Sequence, residues 1–310
     1  MKDAIRRSGY LMEQRLVPLI ESFGYKATPN QRFQDSETGE VREVDVFAIS
    51  AVAVSIRRTE FVFPILLIAC KNLQCPLVFF TQKEIRMDYF LGDFQISGMP
   101  QDIATKRGQS KRIDDFLNLE KFHHYYRTGH IASQFCAVYE GKHQAGGNRS
   151  QHAPFEAGHL VGGRIDLLKD FYTLARAVEA QKRDHAKGFD FRATDDAINL
   201  QCYYPIFLTS GPLVECFVGE RSPRYRRVHR VGFLLRYVSA SETKECRIDV
   251  VDQQGVRPLL ETIQKESDKV AKQIGRQRRL ASESVIAFGR KLRKRNSTFR
   301  LSYVCGEQEL

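Results

Sequence analysis

Apolar positions near the start of the chain follow two different periods. Between residues 8 and 23, Leu11, Leu16, Leu19, Ile20 and Phe23 recur at the spacing of one helix face, with Ser8 placed to cap the start and Gly24 to end it. Pro18 falls inside that pattern and weakens it, since proline donates no backbone hydrogen bond. From residue 25 the period shortens to that of strands. Residues 25–34 read as a first strand, 35–39 as a turn rich in Asp, Ser and Gly, and 41–54 as a second strand. After a polar break at 57–60, residues 61–71 form an almost wholly apolar third strand, and 76–81 a short fourth.

Later segments are less regular. Gly92, Gly98 and Pro100 make 82–110 a loop or broken helix, 108–126 reads as a helix, and 134–139 as a buried strand. Residues 141–163 hold six glycines and few large apolar side chains, the composition of a mobile loop. A helix follows at 165–185, with Leu167, Leu168, Phe171, Leu174, Ala175 and Val178 on its inner face. Strands are expected at 198–208, 213–218, 231–238 and 246–251, helices at 258–274 and 279–294, and a strand-like tail at 298–304. The expectation is an α/β chain with a mixed sheet flanked by helices. Its core lies in residues 1–140, a flexible loop in 141–163, and an α/β extension with basic C-terminal helices in 164–310, packed on the core as one unit.

Charge inside the apolar strands carries the chemistry. Asp45 sits within the run Val44–Ile49, where an unpaired carboxylate costs several kcal/mol to bury, so it needs a cation or water. Strand alternation puts Glu43 and Asp45 on one face, and Ala69 and Lys71 on one face of the next strand. An acid beside a lysine on neighbouring strands is an arrangement for metal-dependent phosphodiester hydrolysis: the carboxylate holds Mg²⁺, and the lysine orients water and steadies phosphate charge. The plainer readings are a structural salt bridge for Asp45 and a lysine reaching solvent from a strand end.

Ile68, Cys70, Lys71 and Asn72, with Asp45 upstream, resemble the motif of the PD-(D/E)XK, or restriction-endonuclease-like, nucleases. Gly9-Tyr10-Leu11-Met12-Glu13 and Gly24-Tyr25 look like the first helix of many of its members. The resemblance implies a restriction-endonuclease-like mixed sheet and Mg²⁺- or Mn²⁺-dependent hydrolysis of DNA. It implies Asp45 and Glu13 as metal ligands, with Glu43 a further candidate, and Lys71 as the catalytic lysine. Position 69, where the family has Glu or Gln, is Ala69. Three readings of Ala69 stand: an engineered knockout, a natural loss leaving a nucleic-acid-binding or assembly subunit, and migration of the carboxylate to Glu43 or Glu13. The first two imply a chain that is inactive or impaired. By analogy alone, such domains serve restriction or anti-phage defence, work with a helicase or other defence partner, and act as homodimers.

Composition sharpens the partner. The 310 residues carry a net charge of +11, which favours an anionic partner, DNA first and RNA second. Between Gly255 and Arg300 thirteen Lys or Arg face four acids, and Arg276, Arg278, Arg279, Arg290, Lys291, Arg293, Lys294 and Arg295 are concentrated there. A second group, Arg224, Arg226 and Arg227, surrounds Tyr225. Both suit phosphate contact, against the alternative of a solvated face. Seven cysteines, with no Cys-x-x-Cys pair, point to free thiols and a cytoplasmic setting. His123, His124, His130, His143, His152 and His159 lack zinc-pair spacing and read as loop and surface residues. No signal peptide is expected, no apolar run is long enough for a membrane span, and there is no phosphate-binding P-loop or Gly-x-Ser-x-Gly esterase motif.

Overall fold

The computed structural model describes residues 10–55, 60–73, 75–83, 94–104, 109–127, 130–140, 155–158, 167–188, 198–217, 222–239 and 242–287. Helix α1 (Tyr10–Glu21) leads into β1 (Lys26–Gln34), β2 (Val41–Ile49), the two-residue β3 (Val52–Ala53) and β4 (Phe61–Lys71). These strands form an antiparallel meander. Pro64 falls between the β2–β4 and β3–β4 pairings, where its missing N–H interrupts nothing on that side. Next come β5 (Leu77–Lys83), β6 (Gln95–Ser97), β7 (Asp102–Ala104), β8 (Ser110–Arg112), α2 (Ile113–Leu117), α3 (His124–Arg127), β9 (His130–Glu140) and β10 (Phe155–Gly158). Helix α4 (Leu167–Gly188) then crosses over to β11 (Asn199–Thr209), which lies parallel to β4 along that strand's whole length. The chain continues through β12 (Leu213–Phe217), β13 (Arg224–Val228), β14 (Arg230–Ser239), β15 (Glu242–Asp252) and α5 (Val256–Arg276). After a turn at 277, residues 278–287 are helical again.

Thirteen of the described strands share one mixed sheet, whose main order is β1-β2-β4-β11-β15-β14-β9-β5-β12-β13. Residues 1–140 and 164–310 both contribute to it: β11 lies beside β4, and β14 beside β9. The alternation of β4 explains why it is apolar throughout. Val62, Leu66, Ile68 and Cys70 pack with α1 and α5, whereas Ile65, Leu67 and Ala69 pack with α4 on the opposite face.

Three expectations are corrected. Residues 108–126 are not one helix: β8, α2, a 3₁₀ turn at Leu119–Lys121 and α3 occupy them. Asn118 ends α2 in the left-handed conformation (φ 55°), which an asparagine tolerates and which stops a helix. Part of the glycine-rich loop is ordered, since 155–158 form β10 paired with β9. Residues 224–228 form β13, which sequence reading missed because Arg-Tyr-Arg-Arg-Val shows no apolar alternation; as a terminal strand paired only with β12 it leaves Arg224 to Arg227 exposed. Within 82–110, β6 and β7 are short strands. Gly98 at φ 91° fits tightly there, because a Cβ would stand 2.0 Å from the Asn199 carbonyl oxygen. Residues 288–310, with the expected tail and Arg290, Lys291, Arg293, Lys294 and Arg295, lie outside the described residues.

Candidate active site

The β2–β4 ladder runs from Ile49/Ile65 to Val46/Ile68 and stops there. One residue further on, the Asp45 carboxylate replaces the backbone as acceptor: Cys70 N–H donates to Asp45 Oδ2 at 2.6 Å. Meanwhile β4 stays paired with β11 as far as Lys71/Thr209. The two strands thus fork at the residues singled out in the sequence. Asp45 is half-buried on one arm, and Ala69, Cys70 and Lys71 are on the other. Asn72 follows, its Oδ1 2.6 Å from Ser210 Oγ at the end of β11.

Helix α1 adds Glu13, which is only 7% exposed. Burial pushes the Glu13 carboxyl above the usual carboxylate range; the negative fields of Asp45 and Glu43 push it further, and Lys71 opposes them. Asp45 is raised in the same way, by burial first and by Glu43, against the Cys70 N–H and Lys71, which favour its charged form. Burial, then Asp45 and Glu13, push the Cys70 thiol far up, so it stays protonated. Glu13, Glu43, Asp45 and Lys71 therefore feel one another, although they come from three elements. Glu43 is the outermost of them and meets Arg32 across the β1–β2 pairing at 3.5 Å.

Lys71 has a partner that sequence reading missed. Its Nζ lies 3.0 Å from Asp170 Oδ1, in the first turn of α4. No local motif marks Asp170; the only signal was its place before the inner-face residue Phe171. Ala69 is 7% exposed and packed into the α4-side core, and its side chain has no oxygen to offer.

Seven acids are buried among the described residues. Six have a basic partner within 4.0 Å: Asp35 with Arg42, Glu60 with Arg278, Asp114 with Arg112, Asp252 with His229, and both Asp249 and Glu266 with His124. Glu13 is the seventh, and its carboxylate has neither a hydrogen-bond nor an ion-pair partner among the described residues.

Another group with metal-ligand atoms, His123, His124 and Glu266, lies within a 4.8 Å span in the core. It corrects the expectation of surface histidines for this pair: His123 is 0% and His124 6% exposed. The hydrogen bonds read as a charge network rather than a metal site. His124 Nδ1 faces Glu266 Oε2 at 2.7 Å and its Nε2 faces Asp249 Oδ2 at 3.0 Å, so both nitrogens are engaged by carboxylates. His123 Nδ1 accepts the Tyr125 N–H at 3.2 Å, which puts the ring proton on Nε2, toward Glu266 Oε2 at 3.6 Å. Burial depresses the basicity of His123, whereas Asp249 and Glu266 overcome the same effect at His124 and raise it.

The candidate nucleic-acid residues stand on separate elements. On β13, Arg224, Arg226, Arg227 and Tyr225 are exposed, and Arg226 is 2.6 Å from Glu215 of β12. Arg276 ends α5 and is exposed, while Arg279 pairs with Glu283 at 2.8 Å. Arg278 points its guanidinium at buried Glu60, with Nε 2.8 Å from both carboxylate oxygens, which gives it a structural role whatever else it contacts. The six described cysteines are free thiols. No helix among the described residues is long and apolar enough to cross a membrane. No family model, curated protein or solved structure matches the chain.

Proposed function

We propose that this chain carries a Mg²⁺-dependent nuclease site for DNA phosphodiester hydrolysis, built on a restriction-endonuclease-like core. The observation that carries the reading is the convergence of Glu13, Asp45 and Lys71 at the β2–β4 fork, with Glu13 buried and unpartnered. The order of helix, antiparallel meander, helical crossover and parallel strand supports the core assignment. Asp45 and Glu13 would hold the cation, with Glu43 at the rim. When bound, the cation neutralises phosphate charge and acidifies water. The Cys70 N–H fixes one Asp45 oxygen, Oδ2. Lys71 steadies phosphate charge and orients water, and Asp170 holds its ammonium in place. Arg224, Arg227 and Arg276 would neutralise phosphates along the duplex; a defence role, a helicase-type partner and a homodimer belong to this reading by analogy only.

Ala69 favours a second reading, a DNA-binding or assembly subunit whose site no longer cleaves, because that position offers no side-chain oxygen. Plasmid and single-stranded DNA cleavage with Mg²⁺, Mn²⁺ or EDTA separates the two, using the chain, its Ala69→Glu variant, and Ala69→Glu combined with Asp45→Ala. The nuclease reading expects metal-dependent cutting by the chain or by Ala69→Glu, lost with Asp45→Ala. DNA binding without cutting by either would leave the subunit reading standing.

A further inference from the structure

We propose that the cavity between α1 and the start of α5 takes an unpaired nucleotide. This rests on the nucleic-acid reading above and names a feature of its substrate: a single strand, or a duplex with a base outside the helix. Strands β4, β11 and β15 run parallel to one another. Asn72, Leu208 and Gln253 each fall within one residue of the carboxyl ends of these strands, and all three line the cavity. In open α/β sheets the crevice outside those ends is where ligands bind. Helices α1 and α5 pack on the same face of the sheet, and the space between them encloses about 510 Å³. That lies within the roughly 300–1,000 Å³ of small-ligand sites. Two of the residues that line it are chain neighbours of the proposed active site: Met12 precedes Glu13, and Asn72 follows Lys71.

The lining selects the guest. Leu16 and Leu208 are buried and give the cavity an apolar bottom, which the half-buried Leu19 continues outward. Arg15 and Gln253 are exposed at its rim, and neither side chain has a hydrogen-bond or ion-pair partner among the described residues. Asn72 stands between rim and bottom, where its Oδ1 accepts the Ser210 hydroxyl at 2.6 Å. No acid among the described residues lines the cavity. Apolar walls suit the faces of a base, carboxamides match the donors and acceptors on its edge, and a guanidinium meets its phosphate. A base inside a duplex is stacked and paired, so it cannot present its faces and edge to such a cavity. A base in a single strand or outside the helix can.

The test is fluorescence anisotropy in EDTA, which keeps metal and cleavage out of the measurement. The full chain and Leu19→Ala combined with Gln253→Ala are titrated against a labelled single strand, its matched duplex, and that duplex with one extra unpaired base. Both substitutions lie outside the buried core and remove no charge, and melting curves establish that the variant is folded. The expected result is that the single strand, the bulged duplex or both bind the parent more tightly than the matched duplex does. The double variant should lose that advantage by about tenfold while its affinity for the matched duplex is unchanged. Which of the two DNAs is preferred tells a single-stranded source of the nucleotide from an extrahelical one. Equal affinity of the parent for all three DNAs, or a preference that survives in the double variant, would overturn the proposal and leave the nuclease reading to its cleavage test. Absence of binding to every DNA and to the matching RNA strand would remove both the proposal and the nucleic-acid reading beneath it.

Discussion

Replacing Glu13 with glutamine should make the metal-free protein more stable while damaging the proposed cation site. Glu13 is 7% exposed, lacks a partner among the described residues, and stands in the negative fields of Asp45 and Glu43. Its folded-state pKa is raised, so the folded state holds its proton more tightly than the unfolded state does. The sign follows: at pH below the ordinary carboxylate range the group costs nothing, and stability falls as pH climbs through the raised folded value. Above that raised value the penalty is complete. Glutamine keeps the shape and removes the charge. A buried polar group without a partner costs roughly 1–3 kcal/mol, more when charged, so relief of about 1–2 kcal/mol is expected. For a chain of this length that is a rise of about 2–3 °C in melting temperature in EDTA. The gain should shrink as pH falls through the raised folded value, where the glutamate takes up its proton. In excess Mn²⁺ the ranking should reverse, because the parent gains binding energy that the variant cannot. Differential scanning fluorimetry at pH 4 and pH 7, with EDTA and with Mn²⁺, reads all four conditions. A variant less stable than the parent in EDTA at pH 7 would refute the reasoning, since it would mean Glu13 makes a stabilising contact.

Three further outcomes follow from the structure. His124→Ala leaves the buried carboxylates of Asp249 and Glu266 without their shared cation and should cost about 3–5 kcal/mol in urea denaturation; because the His124 pKa is raised on folding, its contribution in the parent is complete below about pH 6.5 and declines as pH rises through the folded value. Arg224→Ala and Arg227→Ala, on the exposed strand β13, should each weaken DNA binding uniformly across sequences and lower the slope of log affinity against log salt by about 0.9, with melting temperature unchanged; an unaltered slope in fluorescence anisotropy titrations removes β13 from the interface. Gly98→Ala places a methyl group 2.0 Å from the Asn199 carbonyl at a left-handed backbone position and should destabilise the fold by at least about 2 kcal/mol, whereas Gly39→Ala, with a similar φ of 71° but open space around it, should cost less.

The N-terminal unit was readable because its signals are local. The helix spacing of Leu16 and Ile20, the turn after Gln34 and the unbroken apolar run of β4 each occupy consecutive residues, and the elements fall within a few residues of expectation. Asp45 and Lys71 stood out for a related reason: a charge inside an apolar strand is conspicuous without knowing the partner. What stayed hidden depends on contacts between distant segments. The short elements at 110–127 are held by burial of Phe116, Leu117, His123 and His124 against α5, and a pattern confined to that stretch looks like a helix. Strand β13 is defined by its pairing with β12 rather than by its own residues, which are all polar or exposed except Val228. Asp170 is separated from Lys71 by about a hundred residues, and only the α4 crossover brings them together.

The way this protein treats its other buried charges gives Glu13 its meaning. Asp249 and Glu266 share an imidazolium, Glu60 has a guanidinium placed over both of its oxygens, Asp35 has Arg42 at 2.7 Å, and Asp252 has His229 at 2.8 Å. Each of these acids is compensated by a side chain recruited from elsewhere in the chain, as the desolvation cost of a carboxylate requires. Glu13 falls at the fork where Asp45 leaves the ladder and within the field of Lys71, which ends the apolar strand β4. The proposed nuclease reading assigns that place a counter-ion from outside the chain, for which an oxygen-binding divalent cation is chemically suited.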